Sequence, residues 1–137
     1  MKNEILTLDE DGLRTSLKII MGFIPWSLDS KVDRNFKEAY YHILYAAILR
    51  VIGFDITAEH QNFKGMMDGK INLKNTKVVL EFKYGKDKST ERMLKEALDQ
   101  THDMDYYAPF MDSNVILLQI AFKYKDDVDC RLQQLHL

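Results

Sequence analysis

The sequence predicts a single α/β domain built on a mixed central β-sheet that is flanked by helices. The 137 residues are 46% hydrophobic and 29% charged, which suits one globular core. The hydrophobic pattern alternates between helical and strand periodicity and gives the element order α-α-β-β-β-α-β-β. A helix between two strands indicates a crossover that joins parallel neighbours, whereas short turns join antiparallel ones. The sheet is therefore expected to be mixed.

Two helices are expected before the first strand. The segment Thr7-Leu-Asp-Glu10 matches a capping box, which opens a helix that runs to about Met21. A second helix is capped by Ser30 or Asp33 and ends before Gly53. This second helix is apolar on most sides, so we expect it to be largely buried.

A third helix is expected between the third and fourth strands. It opens at Ser89-Thr-Glu91, and Pro109 lies beyond its end. A run of apolar residues at helical spacing indicates the face that packs on the sheet. This stripe consists of Leu94, Ala97, Leu98, Thr101 and Met104.

Five strands are expected after Gly53. The first three show loose alternation, the fourth is continuously apolar and therefore covered on both faces, and the fifth lies at the sheet edge. Their predicted bounds are Phe54–His60, Met66–Leu73, Thr76–Tyr84, Val115–Phe122 and Val128–Leu135.

The predicted organisation is one compact unit without repeats or a low-complexity linker. We assign residues 1–30 to an N-terminal helix and its connection, and residues 31–137 to the main α/β domain.

The charge is unevenly distributed although the net charge is only −2. Residues 60–95 contain nine Lys/Arg and four Asp/Glu, whereas residues 96–113 contain five Asp/Glu and no Lys/Arg. The basic segment suits a phosphate-bearing substrate, and two solvated faces that neutralise each other are the alternative. The single cysteine, Cys130, allows no intrachain disulfide, and the chain has no secretion signal or bilayer-length apolar run. A cytoplasmic location is expected.

The segment from Gly65 to Lys83 carries the candidate chemistry. On the third strand, Glu81 and Lys83 point to one face and Phe82 points into the core, because side chains alternate. Asp68 precedes Glu81 by 13 residues, a spacing that suits a hairpin placing the two carboxylates together. Two carboxylates and an ammonium suit a hard cation beside a phosphate. The alternatives are a turn residue at Asp68 and a structural ion pair of Glu81 with Lys83.

With these elements, the chain resembles the PD-(D/E)xK nuclease superfamily, and more narrowly the nuclease-like C-terminal domain of bacterial AAA-ATPase-like proteins. The resemblance implies a restriction-endonuclease-like fold with an α-β-β-β-α-β core. It covers roughly residues 20 to 122, through six motifs that are individually weak and occur in the family's order. They are Phe23-Ile-Pro-Trp-Ser-Leu28, Lys37-Glu-Ala-Tyr-Tyr-His42, Gly53-Phe-Asp-Ile-Thr-Ala-Glu59, Gly65-Met-Met-Asp68, Leu80-Glu-Phe-Lys83, and Ala97-Leu-Asp-Gln100 followed by Tyr106-Tyr107.

The resemblance implies a set of metal ligands. Asp68 and Glu81 correspond to the two acidic ligands of the family motif, and the main-chain carbonyl of Phe82 to a third. Glu38 matches a helix-borne glutamate that completes the metal shell. The implied cofactor is Mg²⁺ or Mn²⁺.

The resemblance also implies the polar groups around the metal. Lys83 would position water or stabilise charge on the phosphate. Gln100 matches a helical residue that contacts the site or the nucleic acid, and Tyr107 would lie two turns further on the same helix. One departure is Met66, where close relatives have an Arg that offers a planar phosphate-binding fork.

These residues predict a metal-dependent nuclease that hydrolyses phosphodiester bonds, with DNA rather than RNA as the expected substrate. The resemblance implies products with a 5′-phosphate and a 3′-hydroxyl. The alternative is a non-catalytic nucleic-acid-binding or protein-assembly module on the same fold, which the net acidity and the absent Arg favour. A small-molecule or protein-interaction domain unrelated to nucleic acid is a further alternative. An ATPase-like partner or a homodimer is the expected assembly, with no membrane association.

Overall fold

The computed structural model describes residues 1–22, 46–47, 49–50, 53–58, 69–73, 75–85, 87–104, 107, 114–123 and 127–135. The predicted helix caps Ser30 and Asp33 and the candidate ligands Glu38 and Asp68 lie outside these ranges, as do the predicted strand residues 59–60 and 66–68.

The described residues form a five-stranded mixed sheet with the strands in sequence order. β3 and β4 are parallel, and every other neighbouring pair is antiparallel. The predicted mixed sheet and the core order are thus confirmed, with β5 at one edge. The strands are β1 (Asp55–Ala58), β2 (Gly69–Leu73), β3 (Thr76–Gly85), β4 (Asn114–Lys123) and β5 (Asp127–Leu135).

The conformation of the turn between β2 and β3 depends on Asn75, the second of its two residues. Leu73 pairs with Thr76, so two residues connect the strands. Asn75 has a φ of 58°, a left-handed conformation that asparagine tolerates well. The turn predicted at residues 74–75 is confirmed for Asn75, and it fixes the register of the hairpin.

Two short helices, α1 (Lys2–Leu6) and α2 (Glu10–Met21), cover one face of the sheet. The buried side chains of α2 share a core with the side chains that β3 and β4 direct to this face. The main members of this core are Leu13, Leu17, Ile20, Met21, Val78, Leu80, Phe82, Ile116, Leu118, Ile120 and Phe122.

The N-terminal prediction was wrong in its capping residue. The chain forms two helices rather than one from Thr7, because Leu8 between them takes a left-handed φ of 57°. Asp9 caps α2 by accepting the Gly12 N–H at 3.0 Å, while the Thr7 hydroxyl donates to the Asn3 carbonyl at the end of α1. A capping box needs its hydroxyl at the position that Asp9 fills.

We expect Asp9→Ala to lower the free energy of unfolding by about 1 kcal/mol, since it removes the side-chain acceptor at the N-terminus of α2. Thr7→Ala should cost less, because its exposed hydroxyl caps no helix N-terminus. Urea denaturation followed by circular dichroism would measure both. A larger loss for Thr7→Ala would contradict the assignment of the cap.

Glu10 has a different role from the one that the capping box predicted. Its Oε2 accepts the backbone N–H of Leu132 at 2.8 Å, and its Oε1 lies 3.6 Å from the Arg131 guanidinium. Arg14, one turn further on, donates to Asp129 at 2.6 Å. These contacts hold α2 against the outer strand β5.

The segment that ends before Gly53 is helical at residues 46, 47, 49 and 50. Its end has the glycine geometry that the sequence predicted. Gly53 has a φ of 107°, its N–H donates to the Arg50 carbonyl, and the Phe54 N–H donates to the Leu49 carbonyl. This pair of hydrogen bonds is a Schellman motif.

The crossover from β3 to β4 is α3 (Thr90–Asp103), which packs on the other face of the sheet. Ser89 caps it, as predicted, by accepting the Arg92 N–H at 3.1 Å. The predicted stripe is correct except at Met104, which is 37% exposed because the helix ends at Asp103. Met93 is buried instead, and its Sδ lies close to Gly85 at the end of β3.

The thiol of Cys130 is buried in the core between β5 and α2. Burial raises its pKa to about 12, and the nearby Arg14 partly opposes this shift. The folded protein therefore holds the thiol proton more tightly than the unfolded chain, in which a cysteine has a pKa of about 8.5. This contribution to stability is complete below about pH 8.5 and is lost as the pH rises toward about 12.

The stability difference between the wild type and Cys130→Ala should accordingly narrow with rising pH. Between pH 7.5 and pH 10 we expect it to shrink by about 1–2 kcal/mol, since alanine carries no proton to lose. Paired urea denaturation at the two pH values would measure the change. A constant difference would show that the thiol ionises as easily in the folded protein as in the unfolded chain.

Candidate active site

The candidate site lies on β3, on the face of the sheet that α3 covers. Val79 of β3 packs in the small cluster beneath Leu98 of α3, so Glu81 and Lys83, at alternating positions, share that face. Phe82 points the other way, is fully buried and stacks on Phe122 with ring centroids 5.7 Å apart. Alternation along β3 therefore directs the site residues to the face covered by α3 and the core residues to the face covered by α2.

Glu81 is 2% exposed on the central strand of the sheet. A carboxylate at such a position is costly to bury unless it is paired, hydrogen-bonded or bound to a cation. Its burial distinguishes it from the exposed acids of α3, such as Glu91 and Asp99.

Lys83 contacts the crossover helix directly. Its Nζ donates to Oε1 of Gln100 at 2.6 Å, and both side chains are half-buried. The amide oxygen restrains the ammonium without neutralising its charge, because it is a neutral acceptor. A cation is thus held at a defined place, two residues beyond Glu81.

The β2–β3 hairpin brings the start of β2 beside the strand that carries Glu81. Gly69, directly after Asp68, pairs with Leu80, directly before Glu81. Asp68 itself and Glu38 lie outside the described residues, so the predicted convergence of all the ligands stays a prediction.

Tyr107 was placed on the same helix as Gln100, and this was wrong. α3 ends at Asp103, and Met104 is its C-cap, so Tyr107 lies in a turn beyond the helix. Its hydroxyl lies 3.2 Å from Nδ1 of His102, and the two rings meet edge to face. The sequence carried no strong stop signal between Asp103 and Tyr107, which is why the helix was extended too far.

Sequence reasoning missed Gln119, which lies beside Glu81. The two residues are register partners in the parallel β3–β4 pair, so they share a face on adjacent strands about 4.8 Å apart. Gln119 is 1% exposed, and within the described part of the chain neither Oε1 nor Nε2 has a hydrogen-bond partner. The sequence signal that could have identified Gln119 is its position as the one amide inside the apolar run from Val115 to Phe122.

The donor chemistry at β3 fits a hard divalent cation. The Glu81 carboxylate and the Phe82 main-chain carbonyl offer oxygen atoms, which Mg²⁺ and Mn²⁺ prefer. Among the residues that the structure describes, no group of three or more His, Cys, Asp or Glu forms a complete metal site. The predicted set needs Asp68 and Glu38 in addition, and neither is among those residues.

The mixed sheet, the helical crossover and the Glu-x-Lys strand define an α/β protein of the restriction-endonuclease-like fold. A family model described as the PD-(D/E)XK nuclease superfamily matches residues 36–131, well over half of the chain. The chain therefore belongs to the PD-(D/E)XK nuclease superfamily. A comparison with curated proteins found no match.

Membership of this superfamily confirms the predicted superfamily and fold class, whereas the narrower resemblance to a domain of AAA-ATPase-like proteins stays a prediction. Nucleases of this superfamily generally use divalent metals. The two longest helices that are described in full have 12 and 14 residues, whereas a membrane span needs about 20. In the described ranges, no helix could span a bilayer.

Proposed function

We propose that this protein is a metal-dependent nuclease that hydrolyses phosphodiester bonds in DNA. The observation that carries the proposal is the burial of Glu81 on the central strand of a PD-(D/E)XK superfamily fold, two residues before Lys83. The contact of Lys83 with Gln100 supports it, because this contact holds a positive charge near the buried acid.

The proposed metal ligands are the carboxylates of Asp68, Glu81 and Glu38 and the main-chain carbonyl of Phe82. A bound Mg²⁺ or Mn²⁺ would supply Lewis-acid polarisation of the phosphate and a more acidic water. Such a site needs oxygen donors, and each of these groups provides them.

Lys83 acts on the phosphate in this proposal, and Gln100 acts through Lys83. The Lys83 ammonium stabilises the negative charge that develops on the phosphate oxygens. Gln100 orients the ammonium through its amide oxygen, as their 2.6 Å contact suggests. Met66, where relatives have an arginine, leaves Lys83 with a larger share of phosphate binding.

The partners and setting are proposed with the activity. The basic stretch 60–95 favours a polyanionic substrate such as DNA. An ATPase-like partner or a second copy of the chain would supply specificity, and the setting would be a bacterial cytoplasm. Within the single compact domain, residues 31–137 would form the nuclease unit.

Titration of the purified protein with Mg²⁺ and Mn²⁺ in the presence of supercoiled and single-stranded DNA tests this function. We expect metal-dependent nicking by the wild type, and none by an Asp68→Ala/Glu81→Ala double variant. No cleavage and no metal-induced rise in melting temperature would contradict the proposal and favour a non-catalytic binding or assembly module.

A further inference from the structure

A cavity of about 630 Å³ lies between α3 and the strands β4 and β5. Leu94 and Leu98 of α3 contribute apolar side chains to its lining, and Gln119 of β4 lines it beside Glu81. Its volume is within the range of about 300–1,000 Å³ that small-molecule sites have. The cavity therefore adjoins the candidate active site on the same face of the sheet.

Gln119 is the feature of this cavity that points to a ligand. Its carboxamide is buried, and both of its polar atoms lack a hydrogen-bond partner in the part of the chain that is described. Buried amides are nearly always hydrogen-bonded, and leaving one unsatisfied destabilises the fold. A leucine or methionine would fill the same strand position without this cost, so the amide is explained by a partner that enters the cavity.

The rim of the cavity carries a small positive excess. Three basic residues, Arg92, Lys95 and Arg131, line it together with two acidic residues, Glu10 and Glu91. Glu10 is already engaged by the Leu132 N–H and the Arg131 guanidinium. Lys95 is exposed, so its ammonium is accessible at the rim.

We propose that this cavity binds a nucleobase, with the attached phosphate at its basic rim. A nucleobase has apolar faces that suit the leucine walls, and its edge presents a donor next to an acceptor, which a glutamine carboxamide can pair in two hydrogen bonds. Arg92 is ion-paired with Glu96 and Arg131 with Glu10, so among the three basic residues the exposed Lys95 suits the phosphate best. The base belongs either to a free mononucleotide or to an unstacked nucleotide of a nucleic-acid strand. The strand form rests on the proposed function, because it places a base beside the proposed cleavage site.

Binding without metal separates this inference from the nuclease proposal. We would titrate the wild type in EDTA with each of the four common ribonucleoside 5′-monophosphates by isothermal calorimetry, and with ribose 5-phosphate as the control that lacks a base. A labelled single-stranded oligonucleotide, with and without one abasic site, would test the strand form by fluorescence anisotropy. We expect at least one monophosphate to bind at least tenfold more tightly than ribose 5-phosphate, or the intact strand to bind better than the abasic one.

Gln119→Leu is the variant that tests the role of the amide. We expect it to weaken base-dependent binding at least tenfold and to raise the melting temperature, since it removes a buried amide that has no partner among the described residues. Gln134→Leu on β5 is the matched control, because this half-buried glutamine does not line the cavity.

Two results would overturn the inference. One is a wild type that binds neither a monophosphate nor an intact strand better than the baseless controls. The other is a Gln119→Leu variant with unchanged base-dependent binding. If Gln119→Leu fails to fold, the wild type still tests the inference. Its binding of monophosphates is compared with that of ribose 5-phosphate, and its binding of the intact strand with that of the abasic strand. If the wild type bound a base but showed no metal-dependent cleavage, the nuclease proposal would be contradicted and the base-binding inference would not.

Discussion

Replacing Glu81 with glutamine is expected to abolish metal-dependent cleavage and to leave the fold intact. Glu81 is 2% exposed on the central strand, and the amide keeps its size but removes the charge that would bind the cation. We expect the cleavage rate to fall by at least about 100-fold, as for other losses of a charge-stabilising group. The melting temperature should be unchanged or higher, because the cost of burying a charge is removed.

The measurement is the nicking rate of supercoiled DNA in Mg²⁺, together with the melting temperature of the same preparations. Asp127→Asn is the control, because this exposed acid at the start of β5 lies on the sheet edge remote from β3. A Glu81→Gln protein that cleaves normally would remove Glu81 from the metal site. A variant that no longer folds would make the carboxylate a structural group instead.

Replacing Phe82 with alanine should produce the largest loss of stability among the changes considered. Phe82 is 0% exposed and stacks on Phe122 within the core that α2 covers. Truncation of a buried phenylalanine leaves a cavity and costs about 3–5 kcal/mol. Total stabilities of about 5–15 kcal/mol are normal for single domains, so this variant would be close to unfolding at 37 °C.

A second variant, Phe82→Leu, separates the role of the Phe82 side chain in stability from the role of its main-chain carbonyl in cleavage. It keeps an apolar side chain and the main-chain carbonyl proposed as a metal ligand, so it should cost less than the alanine variant and retain cleavage. Urea denaturation and the nicking assay would measure both properties. If Phe82→Leu folded but lost cleavage entirely, the side chain rather than the carbonyl would matter to the site.

The sheet and its crossover were predictable because short local sequence patterns mark where their strands, helix and turn begin or end. The apolar run of β4, the Ser89 cap and the two-residue turn before Thr76 each fix one element, and the structure has all three. The N-terminus was harder, because Thr7 and Asp9 both satisfy the rules for a helix cap. A left-handed Leu8, which decides between them, has no sequence signature.

The candidate site was predictable only where family motif and strand alternation agree. Glu81 and Lys83 sit at alternating positions on a strand whose bounds the sequence indicated well, so their shared face followed. Gln119 was missed because its importance depends on the register of β3 against β4, which pairs residues 38 positions apart in the chain. No local pattern contains that information.

The hydrogen bond from the Leu132 N–H to Glu10 has a consequence for how the protein avoids aggregation. β5 is a nine-residue edge strand, and edge strands with unpaired backbone groups recruit strands from other molecules. The Glu10 carboxylate occupies one of the outward N–H groups and places a negative charge there. An added strand would have to displace this carboxylate from the Leu132 N–H, so the first turn of α2 opposes intermolecular β-pairing at this point of the edge.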